Sequence, residues 1–199
     1  MEIDPQRVAT RPFATPTTHF RLGGFNLPLH QQETVRLIRA FNVLRQYEEE
    51  EVTAAHTLLV SYLLPGGLLI EGTSDPFGQV WVANLIRKRL NGMAHPEAVL
   101  FSTNFKQGFD PAHFQPVLPK NYIHRMVAGE WIFDFFAAWN RAYQMSRPYS
   151  AFGIRQWFVH TAVQLVHFGH PIDLSPKLLR PKPPQRLSRR VFFNPMGQS

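Results

Sequence analysis

Residues 35–75 constrain the fold more than any other part of the chain. They run from an apolar, β-branched stretch, VRLIRAFNVL, through a stretch of helical period over residues 48–64, to Pro65-Gly66-Gly67 and a second apolar stretch, LLIEGTSD. The first reads as a buried strand ending near Asn42, and LLIEGTSD as a buried strand that finishes in a polar loop. Between them, Val52, Ala55, Leu59 and Leu63 fall on or near one helix face. Glutamates at residues 48–51 open that helix, where carboxylates meet the positive end of the macrodipole, and PGG is expected to end it.

The flanks add the rest of a sheet and its helices. Asp4 as N-cap and Pro5 at the first helical position predict a short helix over residues 4–10. Residues 18–25, THFRLGGF, read as a short strand ending at paired glycines, followed by a loop, NLPLHQQ. QVWVANLIR and AVLFSTNF form a long hairpin about Asn91-Gly92. Residues 129–145 and 155–168 are amphipathic helices, the first carrying Ile132, Phe135, Phe136, Trp139 and Tyr143, the second Trp157, Phe158, Ala162, Leu165 and Val166. Their aromatic stripes read as core rather than as a cofactor box. Residues 174–199 are basic and Pro-rich without a sustained period, and are expected to form a disordered tail beyond a single α/β domain at 1–173.

Charge separates these two parts. The chain carries a formal +7, of which the segment from residue 174 onward contributes six cations and no acid, leaving a nearly neutral body. Nucleic acid is therefore expected to engage the tail, if any part, and not the body. With no Cys, disulfides and thiolate metal sites are excluded. His160, His167 and His170 have only Asp173 near them in sequence, so no metal is expected. Neither a signal peptide nor a membrane span is legible, and a cytoplasmic location is expected. GxSxG, HExxH and P-loop patterns are absent, which leaves hydrolase and NTPase readings without support.

The order of these elements describes an open α/β sheet with loops gathered at the carboxyl ends of its strands, the edge where such sheets bind ligands. Glu2 with Asp4, Gly23-Gly24, Asn42, and the stretch from Glu71 to Asp75 then share one rim. A carboxylate closing a strand can accept both hydroxyls of a ribose.

EIDPQRVA, GGFNLP, RAFNVLRQY, LLPGGLLIEGTSD, QVWVANL and LPKNYIHRMVAGE stand in the order found in the class I S-adenosylmethionine-dependent methyltransferases, and the chain resembles an uncharacterised bacterial group of that family over about residues 1–170. The resemblance implies a Rossmann-like sheet with S-adenosylmethionine as cofactor. It maps the ribose to Glu2, the adenine lining to Gly24 and Phe25, and the residue facing the methyl group to Asn42, with Asp4 also among the cofactor-binding residues. GGF stands where many relatives carry an Asp for the adenine amino group. Methyl transfer from a sulfonium asks the protein mainly for alignment and exclusion of water. On that mapping Asn42 positions, Glu71 or Asp75 accepts a proton where the acceptor arrives protonated, and His124 with Arg125 contacts an unidentified acceptor. The family's first strand and Gly-rich loop precede the part matched, so the chain is expected to be a truncated reading of a longer gene, and its activity depends on that loop. Two alternatives stand beside this reading: a non-catalytic interaction module on the same scaffold, and an RNA methyltransferase holding phosphates with its tail.

Overall fold

The computed structural model describes residues 4–10, 15–174 and 189–193. Its sheet begins at one edge with a parallel pair, β1 (Val35–Phe41) and β2 (Leu63–Ser74), joined through α2 (Glu49–Ser61). A crossover helix lets two neighbouring strands run the same way, whereas a tight turn can only reverse the chain. Tight turns follow: β2 reverses into β3 (Val80–Lys88) and β3 into β4 (Ala94–Thr103), both pairs antiparallel. β6 (Arg189–Phe193) adds to β4 and β5 (Ile172–Asp173) to β6, also antiparallel, giving the order β1-β2-β3-β4-β6-β5. The fold is a mixed α/β sheet flanked by helices, parallel only at the β1–β2 pair.

Four local expectations are corrected. Residues 18–25 carry isolated bridge residues rather than a strand, among them Thr18 paired with Thr15. The chain there folds back on itself: Arg21 bonds Glu33 and the Pro28 carbonyl, and a Cβ on Gly23 would lie 2.9 Å from Pro28 Cδ. Arg21 also holds the Glu33 carboxyl down at about 2, chiefly through that hydrogen bond. β1 is not buried but is the outermost strand, with Ile38 as its one buried residue and Leu37 57% exposed. PGG lies inside β2 rather than ahead of it. Gly66 sits at φ +79° and Gly67 approaches the Arg36 carbonyl, making an irregularity in the β1–β2 register. Within the segment read as a tail, Arg189–Phe193 form β6; residues 175–188 and 194–199 lie outside the described residues.

The remaining predicted helices and the hairpin form, except that α2 ends at Ser61 and Leu63, expected on its inner face, opens β2 instead. α1 (Pro5–Thr10) starts on Asp4, whose Oδ1 accepts the Gln6 amide at 2.9 Å. α2 starts at a reciprocal capping box between Glu48 and Glu51. Val52, Ala55, Leu59 and Val60 turn inward, where Leu59 and Val60 meet Ile38, Leu69 and Ile86 of the sheet. Side chains paired across the strands on this face, Leu69 with Ile86 and Val82 with Phe101, make a continuous apolar floor.

On that floor sit α4 (Trp131–Met145) and α5 (Ile154–His167) with the 3₁₀ helix Pro111–Val117. Phe101 of β4, fully buried, lies against Phe114, Phe135, Phe136 and Trp139, with ring centroids 5.1–6.1 Å apart. Tyr143 and Trp157 stack at 4.3 Å, and the indole donates to the Tyr143 carbonyl at 3.0 Å, locking α4 to α5. Val166, expected inside, is 38% exposed. Opposite the helices, Leu85, Ala98 and Leu100 form a smaller apolar cluster. Gly72 keeps β2 close to β3, since a Cβ there would come within 2.6 Å of Ala83 Cβ.

Candidate functional site

The carboxyl ends of β1 and β2 lie side by side. Asn42, the residue after β1, takes φ +60°, an uncommon conformation outside glycine that the asparagine amide tolerates. Its backbone amide donates to the Gly72 carbonyl at 2.9 Å, its Nδ2 donates to Ser74 Oγ at 3.1 Å, and Ser74 N donates to Asn42 Oδ1 at 2.9 Å. The side chain therefore rivets the two strand ends. Asp75 follows at once and holds the β2–β3 turn. Its Oδ1 accepts the amides of Gln79 and Val80, the latter at 2.8 Å, and its Oδ2 accepts the Phe77 amide and Gln107 Nε2, each at 3.4 Å.

Phe25 comes to this end of the sheet from the loop. It packs with Leu44, Val52 and Ala55, and its ring lies 5.2 Å from Tyr47. Leu44 and Tyr47 belong to the turn that leaves Asn42, so Phe25 walls the segment following the strand end. The Gly24 amide next to it donates to Asn26 Oδ1 at 3.2 Å. Asp4 is occupied at the start of α1, and Glu2 lies outside the described residues.

Glu71 belongs to a different place. Successive side chains alternate across a strand, so Glu71 faces the helices while Ser74 faces away from them. There it is 2% exposed, and its Oε2 meets His56 Nε2 of α2 at 3.1 Å and accepts Asn84 Nδ2 of β3 at 2.9 Å. Asn84 Nδ2 also donates to Asn121 Oδ1 of α3 (Lys120–Ile123) at 3.0 Å. Four elements are joined through one buried carboxylate. A second tie closes the same loop: Arg125 Nε donates to Glu49 Oε1 at 2.9 Å, with Glu130 at 3.8 Å. His124 is exposed at the C-terminus of α3.

Tyr122, between Asn121 and the Arg125 turn, has its hydroxyl pushed up to about 12, first by burial and further by the nearby Glu71 charge, against an opposing hydrogen bond from Asn121. Below about pH 10 both folded and unfolded chains hold this proton; between there and 12 the unfolded chain releases it first, so stability falls as pH rises. Urea midpoints are expected to drop across that window, and Tyr122→Phe to make the drop shallower. Identical slopes in the two proteins would remove Tyr122 as a source.

No family model, curated protein or solved structure matches this chain. The site must be judged on its own geometry. Asn42 and Asp75 stand at the strand ends with Phe25 and Gly24 on the adjoining loop, whereas Glu71 lies beneath α2 and Arg125 ties α2 to the α3 turn. His56, Asn84 and Asn121 were not singled out by the sequence. Their signal is a histidine on the apolar face of α2 and, for Asn84, an asparagine inside an apolar strand; Asn121, beside Lys120, has no local mark. Among the described residues no three His, Asp or Glu side chains gather as a metal would need, and no helix is long and apolar enough to cross a membrane.

Proposed function

We propose that the sheet is a Rossmann-like methyltransferase sheet and that the chain's reaction is methyl transfer from S-adenosylmethionine at the carboxyl edge of β1 and β2. The observation that carries this reading is the parallel β1–α2–β2 unit whose first strand is followed by Asn42, a non-glycine residue in the left-handed region fixed to Ser74 at the end of the second. Strand ends of such units are where α/β sheets bind ligands. When bound, the cofactor supplies a methyl group already activated on a sulfonium.

The residues present fit part of this task. Half-buried Phe25 and exposed Tyr47 offer an aromatic wall for an adenine, with Gly24 beside Phe25. Asn42 is a fixed polar wall, because both ends of its amide are held by Ser74. Asp75 and Glu71 do not fit as bases: the first is committed to four donors and the second is buried against His56 and Asn84. The acceptor is then one that arrives with its lone pair free, and the chain's role is alignment and exclusion of water.

Calorimetric titration of the full chain with S-adenosylmethionine tests this. Saturable binding is expected, weakened at least about tenfold by Phe25→Ala, a loss of ~1.4 kcal/mol. A folded chain that gives no saturable heat would defeat the reading. It would favour instead an interaction module, which is supported by the mutual bonding of Asn42 with Ser74 and by Leu37, 57% exposed on the outermost strand.

A further inference from the structure

The surface at the end of α4 and the start of α5 has a chemistry that the methyl-transfer reading does not use. Between Asp134 and Asp173 the chain has no acidic residue, while Arg141, Arg147 and Arg155 all fall in that interval. Arg141 is spent over the Phe168 ring, 4.8 Å from its centroid. Arg147 and Arg155 form no ion pair among the described residues, and Arg147 is exposed. Charged groups on the adjoining loop are Lys106 and Asp110; Asp110 accepts the Ala112 amide, and its effect on Tyr143 is opposed by Arg147.

Between the two arginines runs the 3₁₀ helix Arg147–Phe152, exposed along its whole length. Its aromatic side chains face solvent rather than the core: Phe152 is 75% exposed and Tyr149 is 37% exposed. Tyr149 is held flat by His160 of α5, the rings 3.5 Å apart and 11° from parallel, and Phe152 lies 6.4 Å from Tyr149. Leaving a phenylalanine in water gains nothing for folding, and the apolar core is already filled by Phe101, Phe135, Trp139 and their neighbours.

We propose that the Arg147–Phe152 helix and the start of α5 bind single-stranded nucleic acid, bases stacking on Phe152 and Tyr149 and phosphates meeting Arg147 and Arg155. Flat aromatic faces take any base and the arginines take the backbone, while Asp110 on the adjoining loop already accepts the Ala112 amide. An acidic peptide would use the arginines but has no need of the exposed Phe152 and Tyr149 rings, and an apolar partner would not favour the arginines. The sequence assigned any nucleic-acid contact to the basic tail; this surface lies on the body.

Fluorescence anisotropy with a labelled short oligouridylate and the full chain tests the proposal. Because the tail is also basic, the deciding variants leave charge unchanged. Phe152→Ala is expected to weaken oligouridylate binding by about tenfold, within the range for loss of one stacked base, with Tyr149→Ala acting in the same direction. Arg147→Gln with Arg155→Gln is expected to flatten the salt dependence. Duplex RNA, whose bases are already stacked, is expected to bind equally to wild type and Phe152→Ala. Full oligouridylate affinity in Phe152→Ala, with near-ultraviolet circular dichroism confirming a native fold, would overturn the proposal, as would absence of oligouridylate binding at low salt.

Discussion

His56→Leu is expected to cost the protein about 3–5 kcal/mol, because it strips one partner from a carboxylate that has no access to water. Glu71 is 2% exposed and His56 9%, and the second donor to the same oxygen, Asn84, is shared with Asn121. Hydrogen bonds to a buried charge are worth more when made than the same bonds in solvent, and losing one leaves the desolvation cost standing. The consequence can be separated from simple loss of packing by a double-mutant cycle. Glu71→Gln removes the charge while keeping an acceptor oxygen for Asn84, so His56→Leu in that background is expected to cost at least about 1 kcal/mol less than in the wild type. Urea denaturation of the four proteins measures this. Additive losses would mean that the two side chains are merely adjacent. The α2–β2–β3–α3 junction would then owe its geometry to the apolar contacts of Leu59, Leu69 and Ile86.

Phe101→Ala is expected to cost a similar amount, about 3–5 kcal/mol, by a different route. Phe101 is the point where β4 meets α4, with four aromatic rings around it, and truncation leaves a cavity bounded by rigid rings that cannot collapse into it. The loss is expected in the denaturation midpoint with little change in its slope, since the same surface is still exposed on unfolding. Phe101→Leu should recover part of it. A loss below about 1 kcal/mol for the alanine variant would show that the helices shift to fill the space, and that the aromatic cluster is softer than its ring contacts imply.

Much of this fold is legible in the order of apolar stretches. α2, β2, the β3–β4 hairpin, α4 and α5 each have enough periodic apolar residues to declare their type, and Asn91-Gly92 marks the reversal. What a stretch of this kind does not carry is its neighbours. VRLIRAF has the composition of a strand buried on both faces, yet only Ile38 is buried, because the strand stands at the edge of the sheet. THFRLGGF has strand-like residues, but the Arg21 tether to Glu33 and the contact between Gly23 and Pro28 fold it into a loop. PGG looks like a helix stop, and serves instead as an irregularity inside β2.

The candidate site divides along the same line. Asn42 and Asp75 were placed at strand ends from sequence, and they stand there. Whether a polar residue late in an apolar strand faces the rim or the core depends on register and on the helix above it. Glu71 shows this: its partners are 15 positions back in α2 and 13 positions ahead in β3, and nothing local announces either. A buried glutamate beside a histidine on the apolar face of the preceding helix is the pattern that would have found them.

Cofactor binding at the β1–β2 strand end, as proposed, is tested by following the backbone amides of the full chain by NMR while S-adenosylmethionine is added. Saturable shifts are expected at Gly24, Phe25, Asn42 and Ser74, with the Tyr149–Phe152 amides unmoved. Shifts confined to other parts of the fold, or none at saturating cofactor, would contradict it.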